Sequence, residues 1–426
     1  MLDPALRSAV DQGHSILLYD FKYPSQSARI AGYARRSGYS VRCFAPGYPE
    51  SDCCNPLDFL EAPEDGTSAR QLAVTLNRNF KKEGQSAEDP FFSNAGDQLA
   101  QAVLQLAKSF KYPDLITCQQ ILRLDSLPER VELAGKRGAI DPWVLSSFGQ
   151  LTSVGKSEKT VASIIGTASQ LFTRFMTPEV MPAFARTTIP LDFGPKQMLI
   201  LGMDRYRREG IAPLVAAILH MLVNRNVAQK RKSPLVLGLD ELPTLYLPAL
   251  VQWLNENRED GLVTLFGFQN LVQLEDTYGR ELSRAIFGGA ASKALFNPQD
   301  DESAERFSKF LGETEVALRQ KSVTSGGGKG GRSVSRSEQR QKRPLLSANE
   351  FLQLDKGQCV FINPGHRSGR GTKASAYVPL HKRVKIPNQE VKAVERSEKL
   401  WPKIKEKRTR HSPQRKVTAL DQALRR

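Results

Sequence analysis

The 426-residue chain is poor in cysteine, has only scattered histidine and holds no long uninterrupted apolar run. Its five cysteines (Cys43, Cys53, Cys54, Cys118, Cys359) are an odd number with no C-x-x-C pair and no histidine at zinc spacing. They read as reduced structural thiols rather than metal ligands. The five histidines stand apart, and no Ser/His/Asp grouping suggests a nucleophilic triad. The best apolar runs, at 15–19 and 233–239, are strand-length and fall short of the roughly 20 residues of a membrane span. The first residues (MLDPALRSAVDQG) lack the basic start and apolar block of a secretory signal. A phosphate-cradling G-x-x-x-x-G-K-[ST] is also missing. The string GQLTSVGKS at 149–157 has five residues between its glycines and lies inside a helical pattern; GGGKGGR at 326–332 lacks the Ser/Thr.

What is present is an ordinary globular composition, 40% hydrophobic and 25% charged, with a net charge of +16. That charge is concentrated. Residues 319–343 carry eight Lys/Arg against Glu338, and residues 381–426 carry fifteen Lys/Arg against five acids. The rest of the chain nets −1. Two such basic pieces attract polyanions, nucleic acid before an acidic membrane surface, through phosphate contacts that carry no sequence preference.

Apolar runs at 14–20 (HSILLYD), 39–44, Gln197–Gly202, 234–239, 261–267 and 292–297 predict strands, and 211–227 a long apolar helix. Between about 68 and 186 the apolar residues recur at helical spacing, which predicts an all-helical insert. Strands alternating with helices predict a parallel sheet, with 1–60 and 196–312 contributing to one sheet around that insert.

The sharpest chemical signal is VLGLDEL. A buried strand ends in two adjacent carboxylates, Asp240 and Glu241, at the sheet edge where ligands of open α/β folds bind. In nucleotide-driven motors the first acid there supports magnesium and the second polarises the attacking water. The alternative is that the pair caps the next helix. About thirty residues on, another strand ends near Gln269, an amide placed to sense a γ-phosphate or orient water. A solvent-exposed loop amide is the plainer reading.

In order along the chain stand YDFK (19–22), NPL (55–57), FFSNAGD (91–97), LDELPTL (239–245), FGFQNLVQLEDTYG (266–279), SKALFNPQDDESAERFSKFLG (292–312) and RPLLSANEFLQL (343–354). Together they resemble the coupling ATPases of conjugation and type IV secretion, the TraD/TraG type, over about 15–363. The resemblance implies a RecA-like, P-loop-NTPase-type parallel sheet interrupted by an all-helical domain. It implies a DNA-dependent ATPase that binds ATP and Mg2+ and assembles as a homo-hexamer at the inner membrane. There the family links a relaxase–DNA complex (the relaxosome) to the secretion channel. Asp240 and Glu241 match the family's Walker B acids, Asp240 serving Mg2+ through the nucleotide, and Gln269 matches its glutamine sensor. Arg284 is the candidate for an arginine acting on a neighbour's nucleotide, with Arg280 and Arg258 behind it.

On that pattern the chain divides into 1–65 (motor domain without the P-loop strand), 66–190 (helical insert) and 191–318 (remainder of the motor domain). There follow 319–343 (flexible Gly/Ser/basic loop), 344–380 (small strand element of the motor domain) and 381–426 (disordered basic tail). Residues 1–10 look like the end of the helix that follows a phosphate loop, so the chain reads as cut just after its main nucleotide grip. The expectation is a weak or inactive ATPase, cytoplasmic and peripheral to the inner membrane, with no membrane span of its own. Two other readings stand beside it: a non-catalytic adaptor that binds DNA and docks relaxosome proteins, and a FtsK/HerA-like DNA translocase.

Overall fold

A computed structural model describes residues 2–80, 90–155, 157–324, 333–363, 380–383 and 386–413. The chain forms two compact units. The first comprises Met1–Phe268, Asp276–Ile286 and Pro387–Arg426; the second comprises Gln269–Glu275 and Phe287–Ile386.

In the first unit, helix α1 (Leu2–Asp11) leads into β1 (Ser15–Asp20), α2 (Ser25–Arg36) and β2 (Ser40–Phe44). Seven helices follow, α3 (Gly66–Phe80), α4 (Pro90–Lys108), α5 (Leu115–Leu122), α6 (Leu127–Lys136), α7 (Pro142–Ser147), α8 (Gly149–Ser153) and α9 (Glu158–Thr173), with no strand among the described residues before β3 (Gln197–Gly202). The string at 149–157 begins in α8, directly after helix α7 rather than after a strand. Then come α10 (Arg208–Val227), β4 (Leu235–Leu239), α11 (Leu250–Asn255), β5 (Leu262–Phe266) and α12 (Leu271–Gly289).

The five strands form one parallel sheet in the order β2-β3-β1-β4-β5. Every residue of β1 and β4 is buried. Continuous apolar runs such as SILLY and LVLGL suit strands covered on both faces. The registers Leu17↔Leu199 and Leu17↔Leu237 place β1 at the centre. Gly202 closes β3, where an added Cβ would stand 2.5 Å from the Tyr23 ring.

Helix α10 is long and apolar enough to cross a membrane by length and composition, contrary to the sequence reading, and 83% of its apolar window is buried inside the protein. It is apolar all round because it is enclosed. His220 on this helix is 3% exposed, lies 3.0 Å from Asn224 Nδ2 through Nε2, and tilts against Trp253. Burial pushes its pKa down to about 4.

Two further elements differ from the sequence reading. The strand near 292–297, β6 (Lys293–Leu295), lies in the second unit and pairs with β9 (Gln358–Ile362), not with the central sheet. Following α13 (Asp301–Leu311), the segment read as a loop over 319–343 is largely a hairpin of β7 (Glu313–Thr324) and β8 (Ser333–Pro344), paired over all twelve positions. The GGGKGGR string lies outside the described residues. After α14 (Ala348–Leu352), the strand expected at 375–380 falls mostly outside them too, and β10 (Leu380–Arg383) pairs antiparallel with β9. Phe287, Phe307 and Phe351 form the aromatic centre of this unit, with ring centroids 5.5–5.9 Å apart along the chain of contacts.

The segment 381–426 is not a disordered tail where it is described. Helix α15 (Asn388–His411) packs along α2. Ser397 Oγ accepts from Gly32 N (2.9 Å) and donates to Ala28 O (2.7 Å). A Cβ on Gly32 would come within 2.8 Å of Ser397, so the close approach requires glycine. Trp401 packs edge-on against Tyr23, 5.9 Å between centroids. Arg408 pairs with Asp52 and donates to Val41 O on β2. The charged stems hid a one-sided apolar seam of Trp401 and Ile404.

Two predictions follow from this packing. Trp401→Ala should lower stability by about 3 kcal/mol, measured by urea unfolding, and should open 388–411 to limited proteolysis while the sheet stays protected. The unfolded imidazole takes a proton near pH 6.5, well before folded His220 does. Its contribution is therefore present above pH 6.5 and lost as pH falls toward 4, a loss of up to about 3 kcal/mol. His220→Gln should flatten the stability profile over that window.

Candidate functional site at the carboxyl edge of the sheet

The interior of the sheet is dry, so charged groups first become affordable where the strands end. Asp20 is the last residue of β1 and Asp240 the first after β4. The register Tyr19↔Leu239 carries these two acids to the same level on adjacent strands, which lie about 4.8 Å apart in a sheet. Asp20 is fully buried; its Oδ2 accepts from Ser27 N (2.7 Å) and Ser27 Oγ (2.6 Å), while Oδ1 is buried without a hydrogen-bond partner. Burial holds the Asp20 carboxyl above the usual range, and the neighbouring Asp240 adds to this. Burial also raises Asp240, against the pull of Lys22.

Glu241 follows at half-burial and starts a short 3₁₀ turn, Leu242–Thr244. That turn is anchored from three sides. Thr244 Oγ1 donates to Glu241 O (2.6 Å) and lies 3.0 Å from the buried Tyr19 hydroxyl. Thr277 Oγ1 donates to Pro243 O (2.7 Å), and Tyr278 OH donates to Leu245 O (2.9 Å), both from α12. The β4–β5 ladder runs on past the strands through Gly267 N to Leu239 O (2.9 Å) and Leu242 N to Gly267 O (2.9 Å). A Cβ at Gly267 would stand 3.0 Å from Asp240 O. Thr277, Tyr278 and Gly267 thus fix the backbone that carries the acids, and all three fall within the resembling FGFQNLVQLEDTYG run.

The expected residues distribute as follows. Asp240 and Glu241 share the carboxyl edge with Asp20, which the sequence reading placed only as the edge residue of its strand; the acid ending an apolar run was the available signal. Gln269 is exposed, three residues beyond β5, and is the first residue of the second unit. Arg284 and Arg280 are exposed on α12, and Arg258 is exposed in the turn before β5. The carboxylate pair, Arg280 and Arg284 therefore belong to the first unit, and Gln269 to the second. All five cysteines are buried, and burial pushes Cys53 up to about 11 and Cys43 up to about 12, far from reactive thiolates.

A parallel, helix-covered sheet with an acid pair at its carboxyl edge is the architecture of nucleotide-driven motor domains. The particular family is shown by comparison: the model for type IV secretory system conjugative DNA transfer matches residues 8–400, and the chain belongs to that family. The coupling protein TraD of Escherichia coli (strain K12) is 32% identical over 127 residues, 30% of this chain and 18% of TraD. The conjugal transfer protein TraG of Agrobacterium fabrum (strain C58 / ATCC 33970) is 32% identical over 162 residues, 37% of this chain and 24% of TraG. The matches thus span a quarter or less of those curated relatives. Among solved structures, the plasmid coupling protein TrwB in complex with ADP and Mg2+ superposes with a TM-score of 0.59 at 15% identity, covering 89% of this chain and 88% of TrwB. The unbound TrwBdeltaN70 gives 0.58 at 15%, covering 84% and 83%. The fold is therefore the RecA-like fold of the coupling proteins.

At Asp20 the ionised carboxylate is the costly form. Asp20→Asn keeps an acceptor for Ser27 and should be as stable as the parent or more so at pH 8. Asp20→Leu strands Ser27 N and Oγ and should cost about 2 kcal/mol. Thermal unfolding of both variants at pH 8 checks this; a parent-like Asp20→Leu would contradict the assigned hydrogen bonds.

Proposed function

We propose that this chain is the motor portion of a conjugative coupling protein, which draws DNA from a relaxase complex toward a type IV secretion channel using ATP. The observation that carries this reading is the Asp240–Glu241 pair, held by Thr244, Thr277 and Tyr278 at the carboxyl edge of a parallel sheet. Asp240 suits Mg2+: it is half-buried beside an acid whose Oδ1 has no partner, so a divalent cation would relieve the excess of negative charge there. When bound, Mg2+ would neutralise phosphate charge. Glu241 would orient and polarise the attacking water, Gln269 would sense the γ-phosphate, and exposed Arg284 would reach a neighbouring copy's nucleotide in a hexameric ring. Relaxosome proteins would meet the helices α3–α9.

The 426 residues contain no G-x-x-x-x-G-K-[ST], so the backbone N–H cradle that binds a triphosphate is not supplied by this sequence. That specific observation favours a second reading for the chain taken alone, a non-catalytic adaptor that holds DNA and relaxosome proteins. DNA-stimulated ATP hydrolysis separates the two. The chain alone should turn over ATP barely above background. Fused behind a strand and phosphate loop that lead into α1, it should hydrolyse ATP, and Glu241→Gln should cut that rate by about 100-fold or more. A fusion that stays inactive, or a Glu241→Gln fusion with parental turnover, would sink the motor reading.

A further inference from the structure

The β7–β8 hairpin belongs to the second unit, and its composition is unusual. Each strand is twelve residues, which makes an arm about 40 Å long. Its base is closed by Leu345 N donating to Gly312 O (3.0 Å), and α13 packs against β8 there. Beyond the base, Ala317, Glu338 and Arg340 are exposed. A two-stranded ribbon by itself is marginally stable, so an arm this long suits a partner that lies along it.

The register divides the arm's positions into two faces. On one face Arg319 stands opposite Glu338, Glu315 opposite Lys342, and Lys321 opposite Arg336. Arg340 reaches Glu315 diagonally at 3.8 Å. The acids near the base are thus matched by cations. Toward the tip, Lys321 and Arg336 are two cations at directly opposed positions, a pairing that costs stability in an isolated ribbon. The other face is almost free of charge and rich in hydrogen-bonding residues, with Gln320 opposite Ser337 and Ser322 opposite Ser335.

We infer that this arm is a nucleic-acid-binding element that lies along duplex DNA. The major groove, about 12 Å wide, admits a two-stranded ribbon. Phosphates would supply counter-charge at the opposed cation positions Lys321 and Arg336, and the face that carries Gln320, Ser322, Ser335 and Ser337 holds residue types that donate and accept without selecting one base. The inference rests on the proposed DNA-transfer reading and assigns part of its DNA contact to a named element.

The test is the salt dependence of binding to a fluorescein-labelled duplex of mixed sequence, read by anisotropy. Lys321→Ser/Arg336→Ser should weaken binding on the order of tenfold and make the slope of log affinity against log salt shallower by about 2. Lys321→Arg/Arg336→Lys, which keeps the charge, should bind like the parent. Equal affinity and slope for parent and Ser/Ser variant would overturn the arm's role while leaving the DNA-transfer reading intact. A parent that fails to bind the duplex at all would instead defeat that reading. Sedimentation guards against the other occupant of such a ribbon: if the Ser/Ser variant dissociates an oligomer and DNA binding is unchanged, the arm pairs with a second copy of this chain and the inference is wrong.

Discussion

The pairing of β1 with β4 is the constraint on which the rest of the first unit depends. Both strands are buried on both faces, so neither can carry a charge along its length, and every backbone polar group must be satisfied in the ladder. The register that matches Leu17 with Leu237 and Tyr19 with Leu239 puts the first acids, buried Asp20 and half-buried Asp240, together at the carboxyl ends of the two strands. A slip of one residue would bury one carboxylate in the sheet and pull the other away from the edge. The same interaction that closes the core therefore sets the spacing of the acids. Burial at that edge raises the pKa of each acid, and Asp240 adds to the rise at Asp20.

Strands of this kind are legible because burial on both faces removes alternation and leaves a plain apolar run; SILLYD, QMLILG and LVLGL could be placed to within a residue. The acid pair was legible for the same reason, since DE after LVLGL has nowhere else to lie but the carboxyl edge. Where the polar content of an element rose, the sequence misled. KAL is too short to show which sheet it joins. The β7–β8 strands alternate Gln and Ser with Lys and Arg, so neither face looks apolar, and their glycine-rich connection drew the whole segment toward a loop. In α15, eight basic residues masked a seam that needs only Ser397, Trp401 and Ile404 to find Gly32 and Tyr23 on the other side.

Net charge is concentrated in two stretches, and high charge by itself suggests a lack of structure. The physical requirement is weaker: a ribbon needs only backbone pairing and a helix only one anchored face. Charge can then occupy whatever remains. Where they are described, these stretches hold much of the positive charge in discrete elements, the β7–β8 hairpin and α15.

The two borders of the sheet differ. At β2, Cys43 N donates to Asp52 Oδ2 (3.2 Å), Asp52 N to Cys43 O (2.7 Å), and Ala45 N to Ser51 Oγ (2.9 Å), while Arg408 of α15 donates to Val41 O (3.0 Å). That border is closed by its own loop and by the C-terminal helix. At β5 the outer border carries exposed Val263 with half-buried Thr264, Leu265 and Phe266. An open strand edge is a standing invitation to another backbone, and proteins cover the edges they do not use. Here the border closed by α15 lies two strands from β1, and the β5 border lies directly beside β4 and its acids.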